Sequence, residues 1–157
     1  MPPAVKNYVK HFPHAMGVWD SASKTHVSSM AAGDFYDSEQ SCVVSEPTKV
    51  SIQYVSAAGE KEVLRESLSL LQGEVIDATT MSLGALKSFA KEQMKEAKKE
   101  GVLFSLHLKA TMMKVSDPII FGAIASVFYG EVIAEFSELF AELGIDFNNG
   151  LGDVYVK

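Results

Sequence analysis

This 157-residue chain has a single cysteine, Cys42, a single arginine, Arg65, and no long unbroken apolar run. Each scarcity excludes something. One cysteine cannot close an intrachain disulfide, so the composition suits a reducing compartment, with Cys42 reactive only if exposed. Without an apolar stretch of membrane-spanning length, and without a charged-then-apolar order at Met1 to Lys10, the expectation is a cytoplasmic protein with no membrane partner. Fourteen basic against twenty acidic residues give a formal net charge of -6. That balance argues against nucleic acid as a partner, which clustered Lys and Arg would have to neutralise. One arginine also leaves no set of planar guanidinium groups to clamp a polycarboxylate. No G-x-G-x-x-G opens a helix after a strand, and Gly150-Leu151-Gly152 is too short to replace it. There is no nucleophile elbow, internal repeat or linker.

What is present is enough for one core, since nearly half the residues are hydrophobic (47%) and the length fits a single domain. Turn formers break the first third, and short strands are expected at Met16 to Trp19, Thr25 to Met30 and Asp34 to Tyr36. A hairpin follows, with Val50 to Val55 alternating, Ser56-Ala57-Ala58-Gly59 turning, and Glu62 to Leu71 returning antiparallel. From Ser82 to Glu100 the period becomes helical, with Leu83, Leu86, Ala90, Met94 and Ala97 on one stripe and Phe89 beside it. Glu92 with Lys95 and Glu96 with Lys99 are spaced for pairing on the wet face, which makes the lysine run a solvated surface, and Gly101 is the stop. Val102 to Leu108 is predicted as a buried strand with Val102, Phe104, Leu106 and Leu108 on one face; Leu103, Ser105, His107 and then Lys109 form the other. Asp117 is placed to cap a second helix with Pro118 at its first position. That helix carries the stripe Phe121, Ile124, Ala125, Phe128, Val132, Phe136, Leu139 and Leu143, with Gly130 as a bend or division and Gly144 as terminator. Phe147 to Val156 is expected to end in a strand after an Asn148-Asn149-Gly150 turn. The order implies an α+β sandwich, a mixed, largely antiparallel sheet with two long helices packed on it.

Chemistry concentrates at the junction from Leu106 to Pro118, where a strand end and a helix start offer side chains and oriented amides to a ligand. On pattern alone Lys109 is a solvated lysine, and Met112 and Met113 are core filling. Asp34, Asp37, Asp77, Asp146 and Asp153 are scattered over different elements and give no metal site. His11-Phe12-Pro13-His14 lacks a second ligand pair for zinc. Trp19 and Tyr36 are read as packing or sheet residues.

The run His107-Leu108-Lys109-Ala110-Thr111-Met112-Met113-Lys114-Val115-Ser116-Asp117-Pro118 resembles a signature of monomeric NADP-dependent isocitrate dehydrogenases. Val5-Lys6-Asn7-Tyr8, His14-Ala15-Met16-Gly17, Lys24-Thr25-His26-Val27, Gly33-Asp34-Phe35-Tyr36 and Asn148-Asn149-Gly150-Leu151-Gly152-Asp153 agree in order, so the likeness covers almost the entire chain. The resemblance implies one copy of a duplicated substrate domain, from an enzyme that oxidises isocitrate with NADP and Mg or Mn and decarboxylates it to 2-oxoglutarate. It makes Lys109 the catalytic lysine that reaches substrate and helps protonate the enolate; Thr111, its neighbour in the loop, and His107, which shares its strand face, are the further substrate-binding candidates, with a hydrogen-bonded structural role the favoured reading of His107. It also implies that the isocitrate clamp, the metal aspartates and the cofactor domain lie outside this segment. The chain alone is then expected to be inactive and to hold no cofactor. A non-catalytic, self-associating module, paired as a homodimer, is the competing expectation, and a minimal carboxylate binder using Lys109 and His107 is a weaker third.

Overall fold

In the computed structural model, residues 2–15 and 17–157 are described. The chain is α+β, with its strands paired antiparallel in two separate two-stranded ribbons. The first ribbon joins β1 (Gln40–Val43) to β4 (Val75–Ala78), and the second is the expected hairpin of β2 (Thr48–Val55) and β3 (Lys61–Leu70). The hairpin turn closes as its sequence dictates, with Glu60 O accepting from Ser56 N at 2.9 Å and Ser56 O accepting from Gly59 N at 2.9 Å. β2 and β3 are exposed along most of their length, so one face that the alternation would bury has nothing on it. The helices therefore do not lie on a sheet: they pack on each other.

Helix α3 (Leu83–Glu100) begins where Ser82 Oγ accepts from Ala85 N and ends at Gly101, whose φ of 69° is the left-handed stop that favours glycine. Its stripe is buried at Leu86 and Ala90 and half-buried at Phe89, Met94 and Ala97, whereas Leu83 is exposed. Of the two expected surface pairs, Lys99 to Glu96 closes at 3.2 Å. Against this stripe lies α4 (Ser116–Phe128), which contributes buried Ala123 and Ile124. Small residues on both sides bring the helices close. A second close approach is made by Gly122, where a Cβ would strike the Asn148 carboxamide and come within 3.0 Å of the Asn148 backbone nitrogen.

The division at Gly130 is observed: α4 stops at Phe128, α5 (Gly130–Glu135) follows, and a further break at Phe136 starts α6 (Ser137–Glu142). Gly144, with φ of 61°, ends the run. Beyond Ala125 the long stripe is not core, because Phe128, Val132, Phe136, Leu139 and Leu143 are exposed.

Several expected strands are not strands. Residues 17–20 and 23–30 form no ladder, and Met16 lies outside the described residues. Asp34 is instead the N-cap of a one-turn helix, α2 (Phe35–Ser38), its side chain accepting from Asp37 N; a capping aspartate two residues before Tyr36 wins over the β preference of the aromatics. Trp19 and Tyr36 are both solvent-exposed rather than packed. The C-terminal strand is replaced by a 3-10 turn (Phe147–Asn149) and α7 (Gly152–Val156), because Asp146 caps the turn through Asn148 N and Gly150 reverses the chain with φ of 83°. Near the N-terminus, Pro3 opens an unexpected helix, α1 (Pro3–His11), where the missing proline amide costs nothing.

Val102 to Lys109 keeps the alternation without the ladder. Val102, Phe104, Leu106 and Leu108 are half-buried, Phe104 and Leu106 against the α3–α4 core, and the intervening residues are exposed, yet the segment has no partner strand among the described residues.

Candidate functional site

The loop that leaves this extended segment is held by one buried carboxylate. Asp117 is 8% exposed and is the only buried charged residue among those described. Its Oδ2 accepts the backbone N–H of Lys109 at 2.6 Å, and Ser116 Oγ lies 3.5 Å from its Oδ1. Asp117 therefore does not cap α4: the helix starts one residue earlier, at Ser116, with no side-chain cap. The acid is inside the first turn, where the helix dipole favours a negative charge, and from there it reaches across eight residues to the loop. The Lys109 carbonyl then accepts from Met112 N at 2.9 Å and Met113 N at 3.0 Å, which winds 109–113 into a single turn. Both polar backbone groups of Lys109 are thus fixed while its side chain remains exposed. A lysine with a fixed main chain and an exposed side chain suits contact with an anionic group outside the chain.

Thr111 is exposed within the same turn, and His107 precedes Lys109 on the exposed face of the extended segment. The His107 ring makes no hydrogen bond among the described residues and lines a cavity of about 660 Å³ beside α3, whose lining does not include Lys109. Met112 and Met113 are exposed, and instead of filling the core they wall a mainly apolar cavity of about 640 Å³ with Phe35, Met81, Ile119 and Ile120. Lys114 follows in the turn and is exposed.

Other candidate ligands stay apart from this loop. Arg65 sits on β3, opposite Ile52, and is exposed. Among the described residues no three His, Cys, Asp or Glu side chains converge on a point where a metal could sit. The scattered aspartates have local work: Asp34 and Asp37 hold the α2 turn, while Asp153 Oδ2 accepts from Asp146 N at 2.8 Å and Lys157 Nζ at 3.0 Å. Those contacts hold the Asp153 carboxyl below its ordinary range, the Asp146 amide first and Lys157 second. Glu39, by contrast, is pushed up by its hydrogen bond to Asp77 and by that residue's charge. His11 Nδ1 is 2.7 Å from the Asn7 carbonyl, a helix-internal contact. No helix among the described residues is long and apolar enough to cross a membrane.

Sequence reasoning missed the role of Asp117. Its spacing from Lys109 matches no local motif, and a buried acid just before proline has the same appearance as a cap. The only available sign was that the cap position of α4 would have been filled equally well by Ser116.

The family model of monomeric isocitrate dehydrogenase matches residues 1–157. The chain is 51% identical over 154 residues to an NADP isocitrate dehydrogenase of Corynebacterium efficiens, 49% over 156 residues to NADP isocitrate dehydrogenase 2 of Colwellia maris, and 46% over 156 residues to the NADP isocitrate dehydrogenase of Azotobacter vinelandii. These matches take in 98–99% of the chain but 21% of each relative. The chain thus spans about a fifth of the length of the curated relatives it matches.

Proposed function

Because the chain belongs to the monomeric isocitrate dehydrogenase family, we propose that it forms part of an NADP-dependent isocitrate dehydrogenase and supplies that enzyme's catalytic lysine, Lys109. The observation that carries this reading is the anchoring of Lys109 by buried Asp117. Oxidation of the isocitrate hydroxyl and loss of a carboxylate as carbon dioxide leave an enolate, and an ammonium beside it stabilises that charge and delivers or relays the proton to carbon. Lys109 has the chemistry and the held backbone for this, with Thr111 and His107 as neighbours to the substrate. The domain is one copy of the duplicated substrate domain.

The remaining parts of such a site are read as lying in other segments of the enzyme. Mg or Mn requires converging carboxylates and a tricarboxylate requires guanidinium groups; among the described residues no three His, Cys, Asp or Glu side chains converge, and Arg65 lies on the hairpin strand β3. The isolated chain is accordingly inactive, and isocitrate binds where the rest of the polypeptide completes the site. The test is a chimera in which this chain replaces the matching segment of the Corynebacterium efficiens enzyme. There, Lys109→Met lowers kcat by about 10²- to 10⁴-fold, with a much smaller change in KM for isocitrate. A kcat within a few-fold of the parent would remove Lys109 from the mechanism, and turnover by the isolated chain would overturn its inactivity.

A second reading, a non-catalytic module that pairs as a homodimer, draws on the exposed stripe from Phe128 to Leu143. Symmetric pairing through such a stripe covers it on both copies at once. A strictly monomeric mass by light scattering at high concentration counts against it.

A further inference from the structure

The cavity of about 660 Å³ beside α3 has two extended walls, one made by residues 24–28 and the other by residues 102–107. Lys24 pairs with Glu100 at 2.5 Å and Ser28 Oγ meets Gln93 at 2.5 Å, so the first wall runs back along α3 from its C-terminal end. The second wall leaves Gly101 at that same end, with Val102 N bonded to Ala97 O, and also runs back along the helix toward Leu86 and Ile124. The walls are therefore parallel and lie over one helix. Among the described residues no backbone amide from 26 to 30 or from 103 to 108 has a hydrogen-bond partner. Leu103, at 92% exposure, and Val27, at 97%, stand free beside the gap.

Extended backbone with alternating burial and unpaired amides is a strand without its neighbour. The two walls are five and six residues long, the length of an ordinary short strand.

We propose that this cavity is a slot for one inserted β-strand, and that its occupant is an extended segment of the enzyme polypeptide lying outside the fifth of the relatives that this chain matches. The inserted strand pairs with 24–28 on one edge and 102–107 on the other, completing a sheet whose inner face rests on α3 and α4. It presents apolar side chains to Ala90, Phe89 and Ile124, and alternate polar ones to the outer face shared by His107. The proposal rests on the reading that the chain works within a longer enzyme, and it adds how the two parts join: main-chain pairing places the segment that ends in Lys109 in register with the rest.

Hydrogen exchange and photocrosslinking test it. In the isolated chain, amides 26–30 and 103–108 are expected to exchange nearly as fast as unstructured peptide. In the chimera described above, both sets should slow by roughly a hundredfold or more, as for paired strands. With Val27→p-benzoylphenylalanine, the crosslinked peptide should map outside the matched segment. Strong protection in the isolated monomer would mean that the two walls close on each other and would overturn the proposal. Crosslinks within this chain or to a second copy would do the same, as would unprotected amides in the chimera. Matching residues of the intact Corynebacterium efficiens enzyme give a reading free of grafting effects, and absent protection there also overturns it. Because exchange is read without turnover, protected amides in an inactive Lys109→Met chimera leave the slot standing. An active chimera with an unprotected slot leaves only the catalytic reading.

Discussion

Asp117 shows how one side chain serves both stability and chemistry. A buried carboxylate is tolerated only if its charge is met by donors, and here the principal donor is the Lys109 amide at 2.6 Å. The consequence runs both ways: the acid is satisfied by the loop, and the loop is positioned by the acid. Asp117→Ala leaves the Lys109 N–H without its acceptor, and the expected cost is about 1–3 kcal/mol of stability, read as a lower denaturant midpoint. Asp117→Asn retains a carbonyl acceptor at the same reach, so it should recover most of that loss. A variant with alanine that is as stable as the parent would mean that the loop holds itself. In the chimera, the alanine change should also lower kcat more than it raises KM, since the lysine's placement is disturbed while other substrate contacts remain.

At the level of elements, pH acts on two places in opposite directions. Glu100 is held below its ordinary range by its hydrogen bond to Lys24, then by that ammonium's charge. Its contribution is present above the unfolded carboxyl pKa and is lost as pH falls through the lower folded value. Glu39 is raised, by the Asp77 hydrogen bond first and the Asp77 charge second; its contribution is present below the unfolded value and disappears as pH rises through the higher folded one. The β1–β4 ribbon should therefore be firmer near pH 4 than at pH 7, and Asp77→Asn should return the Glu39 titration, followed by NMR, toward the ordinary carboxyl range. An unchanged Glu39 titration in that variant would show that Asp77 is not the cause. Local signals made some elements legible: Ser82 and Gly101 bounded α3, Ser56 to Gly59 made the hairpin turn, and Gly144 ended α6. The β1–β4 pairing was not legible, since Cys42 finds Ile76 only after an intervening hairpin. Nor did alternation distinguish a strand with a partner from Val102 to Leu108, which has the pattern without one, because burial of alternate side chains records the helix beneath and not the neighbours on either edge. Lys109 stood out only through the resemblance of its loop to a family, and its tie to Asp117 belongs to the fold.

The whole molecule exposes 12912 Å², whereas a monomer of its mass exposes about 7,700 Å² and its unfolded chain about 24,600 Å². Folding as seen here thus hides about 11,700 Å² where about 16,900 Å² is usual for the size. The excess surface is not merely polar, since Val18, Trp19, Val27, Leu103 and Phe128 are all exposed. Surfaces of this kind mark contacts still to be made, and the slot over α3 and the stripe beyond Ala125 are two places where they could form. Because the denaturant slope follows the area that unfolding exposes, the isolated chain should unfold in urea with a slope about 0.7 times that of ordinary domains of its length. It should also bind a hydrophobic dye before the transition. Insertion into the chimera should remove the dye signal as the two surfaces are covered. If the isolated monomer instead gave the full slope and no dye binding, it would be compacting on itself in solution, and the exposed stripe and slot would have to be closed by its own residues.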